Sequence, residues 1–423
     1  MNTDIKVNWE QAQAARSLGN WASVIQCLQQ LILGEEGEQL LEQLLDLAID
    51  VLVHGDFHER WEIAKVFPKL GHAIAPLLFI LEDEDAEEEL RWYTARILGE
   101  FNQPSVINAL VELLKTSESE ELTAMAAAAL GSIGPSAVAA LTELLTESET
   151  RLLAVRSLSH IRRSETIIPL LSVVQDPQIA VRAAAIEALS SFHDSQIPPV
   201  LLNALDDIAA LVRREAVTGL SFRLDLREEL DLVNRLGPKL DDFNLGVCTA
   251  AAIALGRLGT DNAASALYQV LKSPNTPVSL QIEIVRALIR VGTLSGLEYL
   301  RSALNQLASV TLWQEIVAVL GRVEQPLTTK AAEILVEILS VPAIQHEVKQ
   351  VIAVSLGQLG EIQALDPLIQ LLATIDAGVR LHAIAALKQL APEVAYQQLQ
   401  QLATNEAIAP DLKQGVAIAL AEW

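Results

Sequence analysis

The stretch Val181-Arg182-Ala183-Ala184-Ala185-Ile186-Glu187-Ala188-Leu189 decides the fold of this chain. Val181, Ala185 and Leu189 recur every four residues, which places all three on one face of an α-helix. The same frame, closing on Ala-Leu-Gly or a near variant, returns about every 32 residues along the sequence. A recurrence at that spacing is typical of a repeat protein, in which each unit buries its apolar face only against its neighbours.

The copies are marked by one apolar anchor residue each, and in each copy a short break and a second helical segment follow the anchor. No strand pattern interrupts this order. We therefore predict an all-α chain, an α-solenoid (superhelix) of about twelve helical hairpins over residues 55–423. The anchors are Phe67, Leu98, Leu130, Leu158, Leu189, Leu220, Leu255, Leu288, Leu320, Leu356, Leu387 and Leu420.

Glycine often follows the anchor, as in the break Gly357-Gln358-Leu359-Gly360 after Leu356. Helices commonly end on a left-handed residue, and glycine adopts that conformation without a steric penalty. We therefore predict that the first helix of this repeat ends at Gly357.

The charge of the chain excludes some classes of partner. With 30 basic and 54 acidic residues, the formal net charge is −24. Nucleic acid and anionic membrane surfaces would be repelled. The negative charge either keeps an elongated, leucine-rich chain in solution or attracts a basic partner. No apolar run reaches the roughly 18 residues that a spanning helix needs, and Met1-Asn2-Thr3-Asp4 does not begin a secretory signal, so we expect a cytoplasmic protein. Cys27 and Cys248 fit neither a disulfide framework nor a metal motif, and we interpret both as buried thiols.

A basic residue recurs seven positions before the anchor. Asp176 and Asp207 stand six residues ahead of Arg182 and Arg213, so we predict that these arginines pair with the preceding acid and tie neighbouring repeats together. This is a structural role, which we call the arginine ladder. In four repeats the position holds Thr123, Cys248, Gln281 or Trp313, and in two it holds Lys349 or Lys413. The ladder consists of Arg60, Arg91, Arg151, Arg182, Arg213 and Arg380.

Repeats of the form V-R-x-x-A-x-x-A-L-G followed by A-x-x-x-L-x-x-L-L resemble HEAT repeats. The short, alanine-rich version resembles the HEAT-like repeats named after phycobilisome lyases, and the likeness covers roughly residues 55–423. The resemblance implies a protein-binding solenoid and says little about which partner is bound.

Residues 1–54 lack the repeat and are predicted to form an N-terminal helical cap. Trp9, Ala12, Gly19 and Trp21 fall at spacings similar to those of a tetratricopeptide-type hairpin, and a further helix is expected over residues 39–53. Such a cap would shield the end of the stack from water.

Two surface features near this end are candidate partner-binding sites. Trp61 and Trp92 occupy the same position in adjacent repeats, where packed helices lie about 10 Å apart, so the two rings could form one apolar patch. The alternative is that the N-terminal helices cover them. The acidic stretch of residues 82–89, which begins with Glu82, Asp83, Glu84 and Asp85, lies between helices, and a second acidic group occupies the corresponding gap one repeat later. These two neighbouring acidic ridges are either docking surfaces or solvated turns. The second ridge consists of Glu118, Glu120 and Glu121.

The second helices of HEAT repeats line the inner face of the stack, and one level of them carries polar residues in this sequence. They are either part of a binding surface or its solvated side. The row comprises Glu112, Glu143, Asn203, Gln269 and Gln370.

The sequence contains no phosphate-binding glycine loop, nucleophile elbow or HExxH helix. HEAT-repeat hydroxylases such as deoxyhypusine hydroxylase hold two irons with four His-Glu pairs, but this chain has only His58-Glu59 and His346-Glu347, both out of register with that pattern. We therefore expect no metal, no cofactor and no catalytic residue.

Three functions follow from the resemblance. The first is a non-catalytic scaffold or chaperone that binds a partner protein, with a phycobiliprotein of a cyanobacterial antenna as the partner in its assembly or turnover. The second is a phycobilin lyase subunit, which would need Arg or Lys for the bilin carboxylates, whereas the inner helices offer mainly acids, amides and Arg301. The third is a partner of an A-type iron–sulfur scaffold, in which the partner would hold most of the cluster.

Overall fold

We describe the protein from a computed structural model that defines residues 3–32, 38–306, 309–341 and 344–423. Within these residues the chain is helical and contains no β-strand. It divides into two compact units, Met1–Val200 and Leu201–Trp423. The prediction of an all-α solenoid is therefore confirmed, while the expected boundary after residue 54 stays a prediction.

Three helices precede the first repeat, namely α1 (Thr3–Ser17), α2 (Trp21–Ile32) and α3 (Glu38–His54). The repeats that begin in the first unit contain α4 (Phe57–Ala64), α5 (Ile74–Glu82), α6 (Glu88–Leu98), α7 (Pro104–Thr116), α8 (Glu120–Ile133), α9 (Val138–Leu144), α10 (Arg151–Ile161), α11 (Ile167–Leu171), α12 (Ile179–Leu189) and α13 (Ile197–Ala204). The helix predicted over residues 39–53 corresponds to α3.

The repeats of the second unit contain α14 (Ala210–Leu220), α15 (Leu232–Leu236), α16 (Leu245–Leu258), α17 (Asp261–Leu271), α18 (Val278–Arg290), α19 (Leu294–Leu304), α20 (Val310–Leu320), α21 (Thr328–Leu339), α22 (His346–Leu359), α23 (Leu365–Gln370), α24 (Ala377–Leu390), α25 (Pro392–Thr404) and α26 (Pro410–Ala421). From α4 onward, even numbers mark the first helix of a repeat and odd numbers the second. Short 3₁₀ turns connect several pairs, at Phe67–Lys69, Gly134–Ala137, Ser164–Thr166, Leu224–Leu226, Gly237–Asp241, Ile362–Ala364 and Leu371–Ala373.

The anchor residues form the centre of the packing between repeats. Every anchor from Phe67 to Leu387 is at most 1% exposed, and Val181 and Ala185 on the same face as Leu189 are fully buried. Burying a side chain of this size stabilises the fold by about 1.5–3 kcal/mol. Leu420 is half-buried, and its helix α26 packs against α25 and the 3₁₀ turn Leu371–Ala373. The described residues thus form eleven helical pairs followed by α26.

First helices pack side by side within each unit, as α6, α8 and α10 do in the first and α16, α18 and α20 do in the second. This arrangement follows from the sequence, because small residues on the first helices permit close approach. A Cβ atom added to Gly357 would lie 3.0 Å from the Cα of Ala386 in the next first helix.

The expected helix end at Gly357 is wrong. Gly357 lies inside α22, which continues to Leu359, and Gly360 is the left-handed residue, with φ of +70°. The glycine directly after the anchor provides space for the neighbouring helix, while the glycine three residues later ends the helix.

One stretch of the described residues, Glu120–Leu144, is long and apolar enough to cross a membrane by composition alone. It is not one regular helix, because a 3₁₀ turn that starts at Gly134 separates α8 from α9. Leu130 and Leu141 within it are fully buried against neighbouring helices. Packing between helices therefore accounts for part of its apolar character, because 39% of the apolar window is buried.

Candidate protein-binding surfaces

Four aromatic rings form a chain across α4 and α6. The rings of Trp61 and Phe57 stack with centroids 6.4 Å apart, Phe57 meets Tyr93 edge-on at 6.0 Å, and Tyr93 meets Trp92 edge-on at 5.1 Å. The guanidinium carbon of Arg96 lies 3.5 Å from the centroid of the Trp61 ring. Both tryptophans are half-buried. The two rings expected to share a patch are thus connected through two further aromatic residues.

Tyr93 fixes this cluster to the protein, while Phe57 projects into solvent. The Tyr93 ring is fully buried, and its hydroxyl donates a hydrogen bond of 3.1 Å to the carbonyl oxygen of Phe57. Burial, followed by the nearby Glu89 carboxylate, raises the pKa of Tyr93, so the hydroxyl stays protonated and remains a donor. Phe57 itself is 66% exposed. It opens α4 directly after Asp56, whose side chain caps the helix.

The exposed side of the cluster borders an open groove of about 980 Å³, which we call the N-terminal groove. Its apolar part comes from Phe57, Trp92, Tyr93, Ala124 and Met125, and three carboxylates complete the wall. No lysine or arginine lines it. The groove spans first helices of three successive repeats, α4, α6 and α8, and its acidic wall consists of Glu88, Glu89 and Glu121.

The three carboxylates differ in whether they already have a hydrogen-bond or ion-pair partner within the protein. Glu89 accepts a hydrogen bond of 3.1 Å from the guanidinium of Arg60, and Glu88 accepts one from the hydroxyl of Ser119. Glu121 is exposed and forms no ion pair with any described residue. At least one full negative charge at this surface is therefore left for a ligand.

The acidic turn Glu82–Asp85 follows α5 beside this region. All four side chains are exposed, and the Asp83 carboxylate accepts a hydrogen bond of 3.0 Å from the backbone N–H of Asp85. None of the four forms an ion pair within the described part of the chain. The turn adds negative charge next to the groove without lining it.

The arginine ladder has a common contact, which is a backbone carbonyl near the end of the preceding second helix. Arg182 and Arg213 donate 2.8 Å hydrogen bonds to the carbonyl oxygens of Asp176 and Asp207. Arg380 donates to Thr374 at 2.6 Å, and Arg151 to Leu145 at 2.7 Å. Helix ends leave such carbonyls without partners, so the ladder satisfies them. The same contact is made by Arg60 to Val53 and by Arg91 to Leu81.

The predicted pairing of ladder arginines with the side chain of the preceding acid is wrong where the structure defines the ion pair. Arg151 pairs with Asp176 of the following repeat, at 2.5 Å. Arg213 binds Asp242 of the following repeat through two hydrogen bonds of 2.7 Å. Arg60 likewise reaches forward to Glu87 and Glu89. Asp176 makes both kinds of contact, because its carbonyl oxygen accepts from Arg182 while its carboxylate pairs with Arg151 of the repeat before.

Cys248 replaces the ladder arginine in its repeat and makes the same kind of contact. Its sulfur lies 3.0 Å from the carbonyl oxygen of Asp242, and the side chain is only 4% exposed. Burial raises the pKa of the thiol, so it is protonated at neutral pH. Cys27, which was expected to be buried as well, is half-buried, and burial raises its thiol pKa too.

All five members of the polar row on the second helices are exposed. They lie on α7, α9, α13, α17 and α23, each among buried leucines and isoleucines of the same helix. The same position of the second helix is therefore solvent-exposed in all five repeats. The row consists of Glu112, Glu143, Asn203, Gln269 and Gln370.

The two His-Glu dipeptides lie at the starts of α4 and α22. Glu59 is engaged in the cap of α4, where its carboxylate accepts a 2.9 Å hydrogen bond from the N–H of Asp56. His58 and His346 are exposed. No group of three or more His, Cys, Asp or Glu residues in the described part of the chain could hold a metal ion.

Sequence reasoning missed the apolar part of the groove wall other than Trp92. Phe57 stands four residues before Trp61, so helical periodicity already placed both on one face. Glu89 and Glu121 belong to the two predicted acidic ridges, and they share a position nine residues before their anchors. In the second unit, the exposed Ile208 and Phe243 were also missed, although both stand twelve residues before an anchor.

Comparison with known families assigns the repeats. The family described as HEAT repeats matches residues 74–153, 146–221 and 345–421, which together exceed half of the chain. The chain is a HEAT-repeat protein. A second family, the PBS lyase HEAT-like repeat, matches residues 247–273 of this HEAT-repeat protein. A search of curated proteins returned no match.

Solved structures show the same fold at low sequence identity. The HEAT-repeat protein is similar to Kap95p from a structure with RanGDP, with 16% identity, a TM-score of 0.52, and coverage of 99% of this chain and 64% of that one. It is also similar to Kap121p, with 15% identity, a TM-score of 0.54, and coverage of 92% of this chain and 49% of that one. The chain thus spans about half the length of Kap121p. At these identities the likeness concerns the fold alone.

Proposed function

We propose that this HEAT-repeat protein is a non-catalytic scaffold that binds a partner protein, and that the N-terminal groove holds a segment of that partner carrying Lys or Arg beside an apolar side chain. The observation that carries the proposal is the combination of exposed Phe57 with an acidic wall that contains no cation. An apolar side chain would lie on Phe57 and Met125, and a cation would lie between Trp92 and Glu121.

The charge of the first unit favours the same kind of partner. Acidic residues outnumber basic ones by more than two to one in residues 1–200. A cation near an aromatic face gains about 0.5–2 kcal/mol, and a charge-assisted hydrogen bond to a carboxylate gains about 1.5–3 kcal/mol. Together these contributions fit a binding hot spot, while the turn Glu82–Asp85 accelerates the approach of a basic partner.

The exposed polar row of the second helices is the natural place for further contacts, because its amides and carboxylates can donate and accept hydrogen bonds along many repeats. In this proposal it contributes specificity, and the N-terminal groove contributes most of the affinity.

For the partner we propose a phycobiliprotein, with a role in assembly or turnover of a cyanobacterial antenna in the cytoplasm. The match of residues 247–273 to the PBS lyase HEAT-like repeat supports this proposal. The same match favours a bilin lyase as the second candidate. A lyase would turn over bilin on the partner, whereas a scaffold would bind the partner without changing its absorption spectrum.

The test is capture of the partner from a cyanobacterial host by the tagged protein, followed by mass spectrometry and an absorption spectrum of the eluate. Capture of phycobiliprotein subunits by the native chain, with loss in the Phe57→Ala/Trp92→Ala variant, is the expected result. Phe79→Ala is a matched control, because Phe79 is an equally exposed aromatic residue, at 75%, outside the groove. Undiminished capture by Phe57→Ala/Trp92→Ala would reject the groove as the docking site.

A second pair of variants separates charge from surface area. Glu121→Gln should weaken capture, whereas Glu149→Gln, which changes another exposed glutamate of the first unit, should not. A spectrum that changes with time in a mixture of purified protein, bilin and apoprotein would replace the scaffold proposal by the lyase.

A further inference from the structure

A second concave site lies in the second unit, at the ends of α18 and α20. This pocket has a volume of about 630 Å³ and an apolar floor that includes Ile289, Leu297 and Val319. Its rim carries Arg286, Arg290 and Arg322, and we call it the arginine pocket. Pockets of about 300–1,000 Å³ with an apolar floor and a few convergent polar groups are typical of small-molecule sites.

Two of these arginines are available to a ligand. Arg290 and Arg322 both stand two residues after an anchor, Leu288 and Leu320, so adjacent repeats present them at the same level. Both are exposed, and neither guanidinium group forms a hydrogen bond or an ion pair with a described residue. Arg257 occupies the same position one repeat earlier, but it bonds to Ser221 and lies over Phe222.

The third arginine is already paired. Arg286 donates 2.7 Å hydrogen bonds to both Glu315 and Glu283, so two carboxylates share its charge. Glu324 is the remaining carboxylate on the rim, and it forms no ion pair within the described residues. The lining of the pocket contains three arginines and two glutamates, which gives it one excess positive charge, and Glu283 lies outside this lining.

The excess charge and the size of the pocket limit the ligand. A polyanion or an acidic protein segment would meet the repulsion of a chain with a net charge of −24, which salt screens only beyond about 8–10 Å. A molecule with a single acid group meets little of that repulsion and matches the one excess charge. A carboxylate also fits the planar fork of a guanidinium.

We propose that the arginine pocket binds a small organic monocarboxylate, with its apolar body on the floor and its carboxylate between Arg290 and Arg322. The proposal is independent of the N-terminal groove, because it concerns the other unit and a ligand of opposite charge. A failure of either leaves the other standing.

The probe is decanoate, titrated into the purified full chain at physiological ionic strength and followed by calorimetry or ligand-detected NMR. Decan-1-ol and decyltrimethylammonium share the apolar chain and test the charge. We expect decanoate to bind, the alcohol to bind at least tenfold more weakly, and the cation to bind weakest. Across butanoate, hexanoate and octanoate, affinity should rise by up to about fourfold for each methylene that is buried.

Variants locate the binding. Arg290→Gln/Arg322→Gln should reduce decanoate affinity about tenfold and leave the affinity for decan-1-ol unchanged. Arg235→Gln is the control, because Arg235 is exposed, belongs to the same unit and forms no ion pair with a described residue. Decanoate that fails to bind at millimolar concentration, or that binds native and double-variant protein equally, would overturn the proposal. Tighter binding of decyltrimethylammonium than of decanoate would overturn the proposal as well.

Discussion

Removal of the Asp242 carboxylate should destabilise the second unit around α14 and α16. Arg213 and Asp242 form two hydrogen bonds of 2.7 Å, and their side chains are 14% and 8% exposed. Removing one partner of a buried ion pair costs about 3–5 kcal/mol, because the other charge stays buried and unpaired. A solvent-exposed pair contributes at most about 1 kcal/mol. Because Arg213 keeps its carbonyl contacts and some access to water, we expect Asp242→Asn to cost about 2 kcal/mol.

The assay has to be local, because repeat proteins need not unfold in a single two-state step. Amide hydrogen exchange over residues 210–258 gives the free energy of local opening in α14 and α16. Asp242→Asn, Arg213→Gln and the double variant form a mutant cycle, whose coupling energy should be about 1.5–2 kcal/mol. Asp241→Asn is the control, since Asp241 is an exposed neighbour without an ion pair in the described residues.

The same pair predicts a dependence on pH. The hydrogen bond from Arg213 lowers the pKa of Asp242 below that of an ordinary aspartate. A carboxyl whose pKa is lower in the folded state stabilises it fully above the unfolded pKa and loses that contribution as the pH falls through the folded value. Below about pH 4, the protection of residues 210–258 from amide hydrogen exchange in the native protein should therefore approach that in the Asp242→Asn variant. A coupling energy under about 0.5 kcal/mol, or an equal effect of Asp241→Asn, would refute the reasoning.

Three further predictions test other features of the fold. Gly357→Ala should lower the melting temperature by the equivalent of about 1–3 kcal/mol, because its Cβ would lie 3.0 Å from Ala386, while Gly71→Ala, with no atom within 4 Å, should leave it unchanged. In a thiol-reactivity assay at neutral pH, Cys248 should react only on unfolding and Cys27 earlier, because burial raises both thiol pKa values and Cys248 is the less exposed. Phe243→Ser should leave the melting temperature unchanged and reduce retention on a hydrophobic column, since Phe243 is fully exposed.

The repeat architecture was predictable because its cause is local and periodic. One apolar anchor per repeat must be buried for the helices to pack, so its spacing records the repeat directly, and the anchors from Phe67 to Leu387 are indeed buried. Leu420 shows the same rule from the other side. It has the sequence of an anchor but is only half-buried, and its helix α26 has its main contacts among the described residues with α25 and the 3₁₀ turn Leu371–Ala373.

The errors arose where a residue acts across repeats. For the ladder, the offset of six residues correctly identified Asp207 as a contact of Arg213, but the atom involved is the backbone carbonyl. The carboxylate comes from Asp242, 29 residues later, a distance at which the chain pattern gives no preference among several acids. Gly357 follows the same logic, since its contact with Ala386 lies in the next repeat.

Both proposed binding sites occur where side chains depart from the repeat. Trp92 occupies the position that holds Ala124 and Ala183 in other repeats, so a large ring remains half-exposed where a methyl group normally lies. Arg290 and Arg322 stand where the next two repeats carry Gln358 and Gln389, and they differ from Arg257 at the same position in that their guanidinium groups have no partner within the described residues. Packing requires only that the anchor face be conserved from repeat to repeat, so the outward positions are free to vary without loss of the fold. A substitution at such a position changes binding while the anchors keep the stack intact, which is why Trp92 and Arg290, rather than any anchor, are the residues to change first.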